Sequence, residues 1–336
     1  MTLRVEPFTE AQASDWDRFC DRALNATLLH TRRFLSYHGD RFKDRSLVLM
    51  NDASVIGVLP AAEHPADARL VVSHPGATYG GLVHDGHLIG ERTLEALSAV
   101  ADFYRTQGYA AFQYKALPHT YANIPAQDDL YALFRLGATR TRCDLSSTIC
   151  LSERRPRPDR RRRALKKALS MVSVAWDTLA WSDVWQLIAD NLARKHSASP
   201  VHSAEELALL HQRFPEQIRV AWASHGGTPV AAVVLFNTRQ VWHAQYIASS
   251  ELGYDTHALD AIFEVAVITT RLIQVQKAFQ IRAVGRAAER LRLMRGYIQA
   301  AGTENVPSDM ARRMNELYGM VTPDVAKARN MGNDRM

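Results

Sequence analysis

Cysteine is scarce in this chain. Its 336 residues hold three, Cys20, Cys143 and Cys150, an odd number without metal-ligand spacing. That excludes a disulfide framework and a zinc ribbon, and buried thiols are the expectation. Long apolar runs are missing too: no stretch approaches the roughly 18 residues of a membrane-spanning helix. The N-terminus "MTLRVEPFTEAQ" lacks a basic segment followed by an apolar one, so no export signal is expected and the chain reads as cytoplasmic. Zinc-finger spacing, an RNP aromatic pair and a clear helix-turn-helix are also absent. What is present fits a folded protein: 47% of residues are apolar and 23% charged, close to globular averages. The length exceeds the usual single domain, so two domains of roughly 150 residues are expected. Net charge is +6, and the stretch Glu153 to Lys167, "ERRPRPDRRRRALKK", carries nine Arg/Lys against Glu153 and Asp159, a local +7. The rest of the chain is therefore close to neutral, and there is one basic segment rather than a basic protein.

Hydrophobic periodicity gives the order of elements. A helix is predicted around Thr9 to Leu24, with Trp16, Phe19, Cys20 and Ala23 on one face. Strands "SLVLMN" and "SVIGVLPAAEH" follow, separated by Asp52 and Ala53, and then "RLVVSH". Next come the glycine-rich stretch "SHPGATYGG" (residues 73–81), a helix "ERTLEALSAVADFYRTQG" with Leu94, Leu97, Ala101 and Tyr104 inward and Gly108 as its stop, and a strand "YAAFQYKAL". The second half repeats the order: helices "SDVWQLIADNLARKH" and "SAEELALLHQRF", three strands "QIRVAWASH", "PVAAVVLFN" and "QVWHAQYIAS", a loop "SELGYDT", a helix "HALDAIFEVAVITTRLIQVQ" and a strand-like "AFQIRAV". Both halves read as helix, three-stranded meander, loop, helix, strand, which points to an α/β (α+β) duplication. Unrelated α+β domains can share that order.

The stretches "SHPGATYGG", "RRRRALKKAL", "KHSASPVHSAEELALLHQRFPEQIRV" and "VWHAQYIASSELGYDTHALDAIFE" resemble the FemAB-like transferases, and the element order resembles the Gcn5-related N-acetyltransferase (GNAT) fold. Within that group the chain looks most similar to FemAB-related proteins of cell-surface polysaccharide biosynthesis, over roughly Ser46 to Glu264. The resemblance implies two tandem GNAT-like domains, each a mixed sheet flanked by helices, over residues 1–150 and 151–280. It also implies acyl transfer, with acyl-CoA or aminoacyl-tRNA as donor. In the GNAT fold the donor lies at a helix N-terminus, where first-turn N–H groups suit a pyrophosphate. The equivalent here holds Ser249, Ser250 and Gly253, without the usual Gln/Arg-x-x-Gly-x-Gly/Ala signature.

Acyl transfer to an amine needs alignment, oxyanion donors and a sink for one proton, and no covalent nucleophile. For the sink, His196, His202 and His243 are candidates, with Tyr246 as hydrogen-bonding partner or acid. His202 also stands just before Ser203, a candidate N-cap, so orienting a loop is its alternative role. On the strand "VWHAQYIAS", His243 and Tyr246 fall on opposite faces and cannot enter one cleft without a bulge. In the glycine-rich stretch, Gly76, Gly80 and Gly81 would let backbone approach an acceptor, with His74 and Tyr79 facing a groove; a Pro-Gly turn at a helix entry is the alternative. Arg161, Lys166 and Lys167 on the basic helix would grip phosphates of a nucleotide-linked or lipid-linked sugar, CoA or tRNA, or form a solvated helix between domains.

After Glu264 the resemblance fades. Where the family has a strand of the form Phe-x-Phe-Gly-x-Ser, this chain has "AFQIRAVGRAAERLRLMRG". Read one base later, the codons for Phe279 through Gly285 are compatible with Phe-Lys/Arg-Phe-Gly-x-Ser. A frameshift in the coding sequence is therefore expected, with a divergent, poorly packed segment over 281–336. The readings that follow are an N-acyltransferase acting on an amino sugar or similar amine in envelope polysaccharide precursor synthesis, an aminoacyl-tRNA-dependent ligase building peptide bridges, an inactive relative, and a non-catalytic nucleic-acid-binding protein using the arginine-rich segment.

Overall fold

Alternation along one short strand organises the N-terminal part of the chain. In the computed structural model, which describes residues 3–124, 126–154, 156–177 and 180–281, β1 (Leu3–Pro7) and β2 (Leu47–Asn51) are antiparallel, as are β2 and β3 (Ser54–Leu59). Between β1 and β2 the chain forms α1 (Ala13–Arg22) and the single-turn α2 (Arg32–Leu35). Asp52 and Ala53 make the two-residue turn between β2 and β3, with Asp52 at φ 53°, the left-handed conformation such hairpins require. Val48 and Val58 pack with Trp16, Phe19 and Cys20 of α1 and with Ala23 just after it, whereas Leu47, Leu49 and Leu59 pack with the opposite cluster. Successive side chains of a strand point to opposite faces, so each face takes its own helix.

Pro60 ends β3, and the chain moves into a second sheet. There β4 (Ala62–His64) pairs antiparallel with β5 (Asp67–Val72), and β5 pairs in parallel with β7 (Ala111–Gln113). A parallel pair needs a crossover, supplied by β6 (Val83–His84), which returns to β3, and by α3 (Glu91–Thr106). The inward face of α3 is Thr93, Ala96, Leu97, Val100 and Tyr104. Ala101, expected inward, is exposed and Leu94 only half-buried, because the buried stripe follows the 93-96-97-100-104 spacing. The short α4 (Asp128–Arg135) packs on α3.

The C-terminal part begins with α5 (Asp159–Met171), β8 (Ser173–Trp176), α6 (Trp181–His196) and α7 (Ala204–Arg213). Strands β9 (Ile218–His225), β10 (Thr228–Asn237) and β11 (Trp242–Ser249) complete a sheet of order β11-β10-β9-β8. The β9–β10 turn is Gly226-Gly227, both at positive φ. From Val230 to Phe236 every residue of β10 is buried, the mark of a strand covered on both faces. Then α8 (Glu251–Asp255) leads into α9 (Ala258–Ile281), which packs on β8 and β9, with α5 against it. The strand expected from "AFQIRAV" is not found at its start: α9 runs on through Ala278–Ile281, since no glycine or proline interrupts it. The remainder of that stretch, and the divergent segment expected over 281–336 beyond Ile281, lie outside the described residues.

The chain is a mixed α+β protein of several sheets flanked by helices. Its contacts divide it into two units, the first of residues 1–146, 209–217 and 237–243, the second of 147–208, 218–236 and the described residues from Ala244 on. β1 and β8 have no counterpart in the sequence reading. Each adds one antiparallel edge strand ahead of its half. Among the described residues no helix is long and apolar enough to cross a membrane.

Candidate functional site

His202 stands on the connection between α6 and α7, and three bonds fix it. Ser203 Oγ accepts from Glu206 N at 3.2 Å while Glu206 Oε2 accepts from Ser203 N at 2.9 Å, a reciprocal cap of α7. Trp185 Nε1 of α6 donates to His202 O at 2.9 Å. The His202 ring is buried, and its Nδ1 lies 2.6 Å from Tyr246 Oη on β11, with the rings edge to face. Burial pushes the Tyr246 hydroxyl up to about 12, partly opposed by hydrogen bonding from the His202 and Val201 backbone. At neutral pH the phenol therefore keeps its proton, hydrogen-bonded to Nδ1. A half-buried, protonated hydroxyl coupled to an imidazole can give a proton to a departing group and recover one from the same neighbour.

His243, three residues before Tyr246 on β11, belongs to the first unit, where its Nδ1 is 2.7 Å from Tyr121 Oη. The two β11 side chains thus join separate pairs, in keeping with the opposite faces expected of them. His196 is the last residue of α6.

The expected donor loop is tightly bound to its own sheet. Ser250 caps α8, accepting from Gly253 N at 3.1 Å, and its N–H and hydroxyl both donate to Val230 O, at 2.9 and 3.1 Å. Ser249 is buried, and a Cβ at Gly253 would lie 2.3 Å from Val230 O and 2.4 Å from Ser249 Oγ. Gly253 is therefore needed for the close approach of α8 to β10. Around this loop stand residues that sequence reasoning missed. Arg194 Nη2 donates to Ser249 O at 2.7 Å, and Lys195 Nζ sits 4.2 Å over the Tyr254 ring. Asn191 is buried, in reach of Ile247 O at 3.5 Å and of Tyr254 Oη at 3.4 Å. The signal for Asn191 was available: it follows Val184 and Ile188 on the inward stripe of α6, where a polar residue is out of place.

The glycine-rich stretch closes on itself. His74 is buried and stacked on His38, ring centres 5.0 Å apart, with Phe42 at 5.4 Å edge-on. Tyr79 is buried with its hydroxyl donating to Thr27 Oγ1 at 3.1 Å. Neither side chain faces open space as expected, and the glycines serve internal packing. A Cβ at Gly76 would lie 2.3 Å from His38 Nε2, at Gly80 1.9 Å from Ser73 O, and at Gly81 2.7 Å from Tyr114 Oη. Gly80 N donates to Lys115 O at 3.0 Å and Lys115 N to Ser73 Oγ at 2.8 Å, strapping the loop to the chain beyond β7.

Burial lowers the His74 imidazole to about 3, with the His38 charge acting in the same sense. A base depressed by folding gives stability that is full above its unfolded titration near 6.5 and lost as pH falls toward 3. At pH 5 the expected loss from His74 is about 2 kcal/mol. Urea midpoints measured from pH 7 to 4.5 should decline accordingly, and an unchanged midpoint would contradict the buried neutral ring.

On the basic helix, Arg161 Nη1 pairs with Asp260 Oδ1 of α9 at 2.5 Å, and Lys167 Nζ donates to Asp255 O at 3.2 Å. Just before α5, Arg154 Nη2 reaches Glu264 Oε2 at 2.8 Å and Arg157 pairs with the same carboxylate. Arg154, Arg157 and Arg161 therefore hold α5 and its lead-in against α9, and Lys167 ties α5 to the end of α8. Lys166, with Arg160 and Arg163, is exposed and has no ion-pair partner among the described residues.

Comparison with known proteins adds a family to this geometry. Residues 152–263 match the family model described as acetyltransferase (GNAT) domain. No curated protein matches the chain. Among solved structures it is similar to FemX, at 12% identity, 99% of this chain and 74% of that one, with a TM-score of 0.39. It is similar to L-PGS from Bacillus licheniformis at 10% identity, 78% and 72% coverage and TM-score 0.48. A conserved protein of Enterococcus faecalis V583, described as a probable N-acyltransferase, gives 12% identity, 78% and 62% coverage and TM-score 0.34. The matched segment runs from the lead-in to α5 as far as α9 and contains both His202 and Tyr246. Residues 152–263 are an acetyltransferase domain of the GNAT type, and acyl transfer is the chemistry class of this chain.

Proposed function

We propose that the chain is a FemAB-like enzyme that N-acylates an amino sugar or a similar amine during synthesis of cell-envelope polysaccharide precursors, in the cytoplasm where acyl-CoA is held. The two halves, near 1–150 and 151–280, are read as tandem GNAT-like domains. The observation that carries the reading is the His202–Tyr246 pair inside the acetyltransferase segment. The neutral amine attacks the thioester carbonyl, a C–N bond forms and the C–S bond breaks. Tyr246 protonates the departing thiolate, and the proton shed by nitrogen returns to Tyr246 through His202. The donor is assigned to the α8 end of the sheet, with Ser249, Ser250 and Gly253 shaping the backbone and Arg194 and Lys195 as cations beside that loop.

The cations on the outer side of α5 favour a phosphate-bearing acceptor, and they equally suit the backbone of an aminoacyl-tRNA donor. Arg163→Glu combined with Lys166→Glu should weaken binding of a UDP-amino sugar about tenfold at low salt and flatten its salt dependence. Unchanged affinity would remove α5 from the site. The donor class is tested by thermal shift and native mass spectrometry of the full chain with acetyl-CoA, longer acyl-CoAs and aminoacyl-tRNA. Stabilisation by an acyl-CoA is expected; stabilisation by aminoacyl-tRNA alone would move the assignment to a peptide-bridge ligase, and by neither would count against the reading.

A further inference from the structure

The first unit contains a cavity of about 710 Å³, within the range of small-molecule sites. Phe8 follows β1 into its wall, Lys43 and Arg45 precede β2, Glu63 lies on β4, and Gln107 and Tyr109 follow α3. At its centre Glu63 Oε1 accepts from Arg45 Nε and Nη2 at 3.0 and 2.6 Å, from Lys43 Nζ at 3.0 Å and from Tyr109 Oη at 2.7 Å. Arg45 is held in turn, its Nη1 donating to Asp44 O at 2.9 Å and its carbonyl accepting from the buried Tyr104 hydroxyl at 2.7 Å. Burial works to raise the Glu63 carboxyl, and the hydrogen bonds from Tyr109, Lys43 and Arg45 overcome it, keeping the group near 2 and ionised.

What this network leaves open defines the ligand. All four bonds fall on Oε1, and Glu63 Oε2 has no partner among the described residues, although the side chain is only 14% exposed. Lys43 uses one of its three donors on Glu63, and the Glu10 and Gln107 side chains, also in the wall, have no partner among the described residues. The open set therefore holds both acceptors and donors. Lys43 and Arg45 balance Glu10 and Glu63, and Asp44 is already paired with Arg32, so the wall offers a strongly charged ligand little net attraction. No group of metal-ligating side chains is placed to hold an ion among the described residues. Each hydroxyl carries one donor and two acceptor sites, so a ligand with several hydroxyls matches both kinds of open group. The rings of Phe8, Phe103 and Tyr109 supply apolar wall for the C–H faces of such a ligand.

We propose that this cavity is a carbohydrate-binding site, taking a neutral polyhydroxylated ligand of one or two sugar rings. The inference does not depend on the acyl-transfer reading, since every lining residue belongs to the first unit and His202 and Tyr246 to the second. The test is calorimetric titration of the full chain with cellobiose, maltose and chitobiose, with inorganic phosphate as the charged control. Saturable binding of at least one disaccharide is expected, weakened about tenfold in Glu63→Gln and about threefold in Gln107→Ala. The Gln107 side chain is exposed and has no partner among the described residues, so its variant remains informative if Glu63→Gln fails to fold. Absence of saturable disaccharide binding, equal affinity in wild type and Gln107→Ala, or a preference for phosphate would each overturn the proposal. Acyl-transfer rates of Gln107→Ala on a simple amine acceptor are expected to be unchanged, which separates this site from the catalytic pair.

Discussion

Replacing Tyr246 with phenylalanine is expected to lower kcat for acyl transfer about 100-fold while changing KM by less than about threefold, the pattern of a lost proton donor rather than a lost substrate contact. The ring stays in place, edge-on to His202, and only the hydroxyl 2.6 Å from Nδ1 is removed. Loss of that hydrogen bond should cost about 1 kcal/mol of stability, too little to unfold the domain. His202→Ala should lower kcat by a similar factor, and the double variant should be no slower than the slower single one, because the two groups handle one proton as a unit. Multiplicative losses in the double variant would show that the residues act separately. An unaltered kcat in Tyr246→Phe would take the phenol out of the chemistry.

The second large effect concerns stability. Gly80→Ala is expected to destabilise the first unit by at least about 3 kcal/mol, because the new methyl would meet Ser73 O at 1.9 Å and Ser73 C at 2.6 Å. Those are backbone atoms, and no rotamer change relieves the overlap. They are also held, Ser73 N donating to Gln113 O at 3.0 Å and Gly80 N to Lys115 O at 3.0 Å, so parting them breaks the strap to β7 and the chain beyond it. Gly137→Ala is the matched control. Gly137 has φ +73 and open space around it, so only the conformational cost of about 1 kcal/mol applies. Urea unfolding followed by fluorescence distinguishes the two. Equal losses at both positions would mean that the crowding at Gly80 is relieved at little cost.

These glycines also mark where sequence reading stops. The buried face of Trp16, Phe19, Cys20 and Ala23, the Asp52-Ala53 turn and the separate partners of His243 and Tyr246 were legible because each depends on residues within a turn or a few strand positions. That Gly76 fits against His38 and Gly81 against Tyr114 depends on partners more than 30 residues away. A sequence supplies the permissive backbone but not its reason. The His202–Tyr246 pair spans 44 residues; both residues stood out individually, but their pairing follows from α6 lying along β11, fixed by Trp185, Asn191 and Arg194. β1 and β8 escaped notice because each is at most five residues long, and β1 carries Arg4 and Glu6 on its outer positions. The charge of the basic segment was plain, whereas its division into residues that hold α9 and residues left outward required the positions of Asp260 and Glu264.

The measurement that bears most directly on the whole account is transfer of an isotope-labelled acetyl group from acetyl-CoA to the nitrogen of a UDP-amino sugar, followed by mass spectrometry. Wild-type enzyme should give N-acylated product, and Tyr246→Phe about one hundredth of it in equal time. Labelled product formed equally by both proteins, or by neither although acetyl-CoA binds, would contradict an acyltransferase working through His202 and Tyr246.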